Sequence, residues 1–314
     1  MPKVTVVGAG NVGATLVQRI AEEGLADVVM MDIVDGLAEG KALDMSESRP
    51  LCAFNVGVIG TTKAEAMKGS DVVVVTAGVA RKPGMSREDL IGINSKIVGG
   101  IAEDIRKHAP GAVVIVVTNP LDAMVYLTLE RTGFPPERVI GMAGELDTAR
   151  FRFFIADALG IAVDDIQAIL MGGHGDSMVP LPEYTTINGI PLSHFLDEAK
   201  IEQLISRTVK GGGEIVALLK TGSAFYAPSA AVVNMVRAIL RDEHRIFCAS
   251  AFLKGEYGHK GIYLGVPVIL GRKGVEKVIE LPLSEKAKGK LKQSAEAVSS
   301  EVAALRAIVE KKAA

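Results

Sequence analysis

Cysteine is nearly absent from this chain: Cys52 and Cys248 are the only two. They lie far apart and form no CxxC or Cys/His spacing, so neither a disulfide framework nor a zinc site is suggested, and a reducing cytoplasm is the expected compartment. Charge of one sign is missing as well. The 35 Lys and Arg stand against 37 Asp and Glu, a formal net charge of -2 with no long block of either sign. Neither nucleic acid nor an anionic membrane is therefore expected as the main partner. Apolar runs are short: AVVIVV at 112–117 is typical, whereas a membrane-spanning helix needs about 20 apolar residues. The opening MPKVTVVGAG runs straight into a strand pattern, and no secretory leader is expected there. HExxH, clustered carboxylates and paired Cys/His ligands are also missing, so no metal is expected, and His108, His194, His244 and His259 are read as surface or structural residues. No linker rich in Pro, Gly or Ser and no repeat divides the chain, which predicts closely packed halves.

What is present is 314 residues, 48% of them hydrophobic, enough for about two domains with cores of their own. The first half alternates apolar, β-branched runs with helical stretches: VTVVG then NVGATLVQRIAEE, VVMMD then GLAEGKALDMS, DVVVVTAG then REDLIGINSKIVGGIAEDIRKH, AVVIVVTNP then LDAMVYLTLERTG. Continuous apolar strands of this kind belong in a parallel sheet covered on both faces. The alternation predicts an α/β fold with a Rossmann doubly wound parallel sheet, its ligands held outside the carboxyl ends of the strands.

After about residue 145 the pattern becomes α+β. A helix (LDTARFRFFIADALG) precedes a strand (IQAILMG) and a hairpin (EYTTINGIPLSH); helical APSAAVVNMVRAILRD precedes strands RIFCASAFL and GIYLGVPVILG. The expected division is a dinucleotide-binding Rossmann domain over 1–143 and an α+β substrate domain over 144–314. The last helix aligns Leu291, Ala295, Val298, Val302, Leu305, Ile308 and Val309 on one face, which is read as a packing face without chemistry.

The glycine-rich stretch Gly8-Ala9-Gly10-Asn11-Val12-Gly13 follows the first strand and opens the first helix, where free backbone N–H groups and the helix dipole can hold a pyrophosphate. Alone it could be a tight turn without a ligand. Asp32 ends the next strand, 19 residues after Gly13, suitably placed to accept from ribose hydroxyls. A carboxylate there would repel a 2′-phosphate, and no Arg or Lys directly follows it, which favours NAD over NADP. His174, in MGGHGDS after an apolar run, and Asp147, in GELDTARF, could form a pair in which the carboxylate fixes the tautomer while the other ring nitrogen exchanges a proton. Either could equally be structural, Asp147 as a helix cap. The stretch VARKPGMSREDL at 79–90 gathers Arg81, Lys82 and Arg87 beside a proline and a glycine, and by composition alone it is a solvated loop.

Together GAGNVG, VARKPGMSREDL, VTNPLD, GELDTARFR, GGHGDSMVPL and GSAFYAP occur in an order that resembles the lactate/malate dehydrogenase family over nearly the whole chain, most nearly its lactate-dehydrogenase-like malate dehydrogenases. The resemblance implies reversible hydride transfer between malate and NAD to give oxaloacetate and NADH. It makes His174 the proton acceptor and donor, Asp147 its orienting carboxylate, and Arg150 the arginine that grips the substrate carboxylate beside the reacting carbon. Asn119 matches a contact to substrate and nicotinamide, Val117 and Thr118 flank it on the cofactor side, and Asn94 matches a cofactor contact. The loop at 79–90 resembles a substrate lid: Arg87 would polarise the reacting carbonyl, and Arg81 would pair with the second carboxylate of oxaloacetate. Lys82 acquires no role. Gly222 stands where many lactate dehydrogenases have threonine, leaving room for a longer substrate. A cytoplasmic homo-oligomer, tetramer or dimer, is implied. The alternatives are an L-lactate dehydrogenase, opposed chiefly by Arg81, and a non-catalytic dinucleotide-binding sensor, opposed by the retained His174, Asp147, Arg87 and Arg150.

Overall fold

A computed structural model describes residues 1–80 and 85–310. The chain runs β1 (Lys3–Val7), α1 (Asn11–Glu22), β2 (Asp27–Met31), α2 (Leu37–Glu47), α3 (Arg49–Cys52), β3 (Val58–Thr61), β4 (Val72–Val75), α4 (Arg87–His108), β5 (Val113–Val116), α5 (Leu121–Thr132) and β6 (Val139–Gly141). It continues as α6 (Gly144–Leu159), β7 (Ile166–Gln167), β8 (Leu170–Gly172), β9 (Met178–Pro180), β10 (Thr186–Ile187), β11 (Ile190–Pro191), α7 (Glu198–Leu219), α8 (Tyr226–Arg241), β12 (Arg245–Lys254), β13 (Lys260–Gly271), β14 (Gly274–Val278) and α9 (Glu285–Glu310).

Strands β3-β2-β1-β4-β5-β6 lie side by side in that order, all parallel, which is the Rossmann arrangement with its crevice where the order reverses between β1 and β4. The fold class read from the sequence is the one observed. Val72 to Val75 and Val113 to Val116 are buried along their whole length, because helices cover both faces. The same sheet continues through the antiparallel pairing of β6 with β12 and of β12 with β13, with Ser250 opposite Gly141. This shared sheet packs the halves closely together.

Local chemistry explains the element ends. Ser86 caps α4 through a reciprocal box with Asp89: Asp89 N donates to Ser86 Oγ at 3.0 Å and Ser86 N to Asp89 Oδ2 at 3.1 Å. Arg106, Lys107 and His108 complement the dipole at its far end. Arg87 is thus the first residue of a capped helix.

Several elements depart from the sequence reading. IQAILMG is not one strand: β7 pairs with β10 in a small separate sheet, and β8 pairs with β9 and β13 in the large one. β3 and β6 were not anticipated, because β3 is an edge strand with one buried residue and β6 is three residues long. α7, also unanticipated, begins at Asp197, whose side chain caps Lys200 N, and buries Ile201, Leu204 and Ile205.

Candidate active site

At the carboxyl end of β1 the three glycines have three different reasons to be there. Gly8 has φ 109°, and a Cβ would sit 2.7 Å from Ala77 N. At Gly13 a Cβ would lie 1.8 Å from the carbonyl oxygen of Gly8, so helix α1 packs on the turn only without one. At Gly10, the N-cap of α1, a Cβ would meet nothing within 4 Å. No side chain caps this helix and no acidic residue stands in its first turn. Asn11, Val12 and Gly13 therefore offer first-turn N–H groups to an anion. The empty space over Gly10 is where a dinucleotide's pyrophosphate fits.

Asp32 is bound to the same turn. Ala9 N donates to its Oδ2 at 2.7 Å and Val34 N to its Oδ1 at 3.1 Å, while the carboxylate stays partly exposed. Two neighbours escaped the sequence reading. Ile33 is 96% exposed although apolar, a surface suited to a flat base, and Lys41, from α2, donates to Ala9 O at 2.6 Å.

Val117, Thr118 and Asn119 leave β5 for the cleft. The Thr118 hydroxyl donates to Ala77 O at 2.7 Å, tying the exits of β4 and β5 together. Asn119 is exposed and precedes Pro120 through a cis peptide bond. Asn94, expected by resemblance to contact the cofactor, is tied to the loops that border the cleft. It is fully buried, its Oδ1 accepts from Val79 N at 2.8 Å, and its Nδ2 donates to Val79 O at 3.1 Å and Asn119 O at 2.6 Å. Its amide is a brace between two cleft loops, because its neighbours use both ends of it.

His174 and Asp147 come together. The carboxylate, in the first turn of α6 and 2% exposed, lies with Oδ2 3.0 Å from His174 Nδ1 and accepts from Arg150 Nη1 through Oδ1 at 3.2 Å. Burial pushes the His174 imidazole toward the neutral form, but the charge and hydrogen bond of Asp147 outweigh it, and its pKa lies above the ordinary 6.5. Arg150 works against this, from a side chain only 14% exposed. Its Nε is buried with no hydrogen-bond partner. A charged guanidinium on the wall of the cleft is chemically matched to an anion.

Arg87 does not join this group. Its Nη1 lies 2.7 Å from Glu301 Oε1 of α9, with the arginine half exposed. The sequence expectation put it over the substrate; here an acidic partner on another helix holds it. Arg81 and Lys82 lie outside the described residues. Gly222 lines the cleft with φ 90° and open space where a Cβ would be.

The sequence reading missed residues that support the site. Gly211 and Gly212 of α7 leave room for Arg150: a Cβ at Gly211 would lie 3.3 Å from Arg150 Cδ. The signal was there, since three consecutive glycines inside a helix need a packing reason. Asp122, Ser250 and Ser294 are all buried around the turn that carries His174. Ser294 and Glu301 also correct the view of α9 as a packing face alone.

Gly10, Asn119, Arg150, His174 and Gly222 line one cleft of about 510 Å³. A larger cleft of about 1200 Å³ lies at the opposite ends of the strands, beside Pro2, Asp71 and Gly111, so size does not select the site and chemistry does. Asp242, His244 and Glu276 fall within ligand reach of one another, a grouping that sequence spacing hid, but none lines the cleft. Among the described residues no helix is long and apolar enough to cross a membrane.

A Rossmann sheet whose glycine turn faces a buried His–Asp pair and an arginine defines a dinucleotide-dependent dehydrogenase of small anionic substrates. Residues 2–141 match the lactate/malate dehydrogenase NAD binding domain, and 144–309 match the alpha/beta C-terminal domain of the same family. The chain belongs to the lactate/malate dehydrogenase family. It is 53% identical over 307 residues to a malate dehydrogenase of Roseiflexus sp. (strain RS-1), covering 98% of this chain and 99% of the relative. The solved malate dehydrogenase of Salinibacter ruber superposes with a TM-score of 0.95 at 50% identity, over 99% of each chain. A lactate dehydrogenase of Cryptosporidium parvum, solved with lactic acid and the nicotinamide dinucleotide, gives 0.94 at 39% identity, over 97% of this chain and 98% of that one.

The glycine geometry makes a paired prediction. Gly10→Ala should fold normally and lose about tenfold or more in NADH affinity, equivalent to roughly 1.4 kcal/mol. Gly13→Ala, forced against a main-chain oxygen, should lose about 3 kcal/mol or more of stability. Fluorescence titration with NADH and denaturant melts separate the two; equal behaviour of the variants would refute the assignment.

Proposed function

We propose that the chain is an NAD-dependent malate dehydrogenase that interconverts malate and oxaloacetate. The observation that carries this reading is the His174–Asp147 pair at 3.0 Å beside the Arg150 guanidinium, in one cleft with the glycine turn. The likeness to malate dehydrogenases over nearly the full length supports the same substrate.

In malate oxidation His174 takes the hydroxyl proton on the ring nitrogen away from Asp147, as the C2 hydrogen departs with its electron pair and the carbonyl forms. Hydride acceptance is the chemistry that bound NAD supplies. Asp147 fixes the tautomer and stabilises the imidazolium, and the Arg150 guanidinium takes the C1 carboxylate. Asn119 borders both cofactor and substrate. Arg87, released from Glu301, would stabilise the negative charge developing on the substrate oxygen. Arg81 would meet the second carboxylate. We read 1–143 as the cofactor-binding part and 144–314 as the substrate part, because the glycine turn belongs to the first and His174, Asp147 and Arg150 to the second.

Oxaloacetate reduction needs protonated His174, so the rate falls as pH rises through its pKa. Asp147→Asn removes the influence that raises this pKa, and the alkaline fall should move to lower pH while kcat drops about 10²-fold or more. A wild-type pH profile in the variant would disconnect the pair.

Substrate choice rests on Arg81. Over pyruvate a methyl group would leave its cation unpaired, and a site built around a polar partner rejects an analogue lacking it by roughly 10⁴. NADH consumption should therefore favour oxaloacetate over pyruvate on about that scale, and Arg81→Gln should shift the ratio of kcat/KM values toward pyruvate. An unchanged ratio with intact NADH binding counts against Arg81, and turnover of neither substrate would favour the non-catalytic sensor.

A cytoplasmic homo-oligomer, tetramer or dimer, completes the proposal. Exposed apolar side chains support self-association: Leu51 is 87% exposed, and Leu43, Tyr226 and Ile246 are each more than 60% exposed. Sedimentation at micromolar concentration should give at least twice the chain mass; the mass of one chain would exclude it.

A further inference from the structure

Behind His174 lies a second carboxylate that the dyad does not use. Asp122, in the first turn of α5, is 3% exposed. Its Oδ1 accepts from Ser250 Oγ of β12 at 2.6 Å, and its Oδ2 accepts from the main-chain N–H of His174 at 3.1 Å. The neighbouring peptide is held as well, since Gly173 N donates to Ser294 Oγ of α9 at 2.7 Å. A Cβ at residue 173 would come within 3.3 Å of Asp122 Oδ2, so the turn lies directly on the carboxylate.

An amide would serve this architecture equally well. Asparagine could accept from His174 N–H through its oxygen and donate to Ser250, whose hydroxyl turns to accept. Burying a carboxylate instead costs several kcal/mol of desolvation before its partners offset it. The hydrogen bonds alone therefore do not require an aspartate here. Burial raises the pKa of Asp122, and its hydrogen bonds from Ser250 and His174 oppose the rise; the N-terminus of α5, where the helix dipole favours an anion, also helps to hold its charge.

We propose that Asp122 is a positioning residue of the proton-exchange step: it fixes the main chain of His174 and adds a second negative charge near the His174–Asp147 pair. The inference rests on His174 exchanging the proton in the proposed reaction. The charged groups around the ring are Asp147 and Arg150 from α6 and Asp122 from α5; α9 contributes Glu301, whose pKa burial raises with a smaller push from Asp122, and which pairs with Arg87. Arg150 disfavours the imidazolium and Asp147 favours it. Asp122 acts in the same sense as Asp147 on the imidazole, from the carboxylate that holds the His174 main chain.

Asp122→Asn keeps the hydrogen bonds and removes the charge. It should fold and bind NADH as the parent does, while the alkaline fall in oxaloacetate reduction moves down by about half a pH unit or more. The His174 imidazole followed by NMR in the cofactor-free protein should shift its midpoint in the same direction. A merely structural role would change the melting temperature and move neither midpoint, and unmoved midpoints in a folded variant overturn the proposal. Should Asp122→Asn fail to fold, Ser250→Ala takes one donor from the carboxylate and makes it easier to protonate. Both midpoints should then move down, and midpoints that stay put overturn the proposal. Absence of turnover in the parent protein would instead strike at the dehydrogenase reading, while the NMR midpoint would still decide the role of Asp122.

Discussion

The Asp147–His174 hydrogen bond is the interaction around which the cleft is arranged. A carboxylate 2% exposed has left water, and the folded chain must return what hydration supplied. It does so with the imidazole on one oxygen, the Arg150 guanidinium on the other, and the first turn of α6 beneath. Each partner imposes a condition of its own. The arginine must pass α7, and Gly211 and Gly212 leave the space. The histidine must sit on a turn stiff enough to keep a 3.0 Å contact, and Ser294 and Asp122 hold two successive N–H groups of that turn.

These supports come from α5, β12 and α9, elements far apart in sequence. They meet because the parallel sheet does not stop at β6: Gly141 pairs with Ser250 of β12, and the same serine donates to Asp122 at the start of α5. The join between the two halves therefore also supports the catalytic turn. A cleft bordered by the cofactor-binding loop on one side and by His174 on the other needs such a join, because reacting groups displaced by about 1 Å lose much of their advantage in orientation.

Long-range order was legible where one physical pattern dominated. The β-branched runs of β1, β2, β4 and β5 stand out because both sheet faces are covered, and α4 was read at its observed bounds because its amphipathic stretch ends in charged residues that suit the helix dipole. β3 was missed because an edge strand with one buried residue gives no period, and β6 because three residues, though all buried, are too few to give one. Within the site, His174, Asp147 and Arg150 were readable by resemblance, yet their 27-residue separation left the contact itself to the fold. For Asn94 the sequence suggested a cofactor contact by resemblance, and nothing in INSK reveals that its amide also ties Val79 to Asn119.

Ser294 and Glu301 show the deeper limit. On α9 they stand at the border of the packed face, three residues after Leu291 and Val298, and Ser294 is itself buried; yet the packing of Leu291, Val298 and Leu305 already accounts for a helix of that pattern. A serine that accepts from the His174 turn and a glutamate that holds an arginine from another helix look in the sequence like ordinary interruptions of an apolar face, because periodicity reports where that face lies and not what a polar residue on it touches. What distinguishes them is the partner, and the partner is fixed by the crossing of α9 over α4, α5 and the β8–β9 turn. The chemistry of this family's cleft thus depends on two kinds of residue. One kind is chosen for what it does to substrate and can be found by type and motif; the other is chosen for what it holds in place and becomes visible only when the chain is folded.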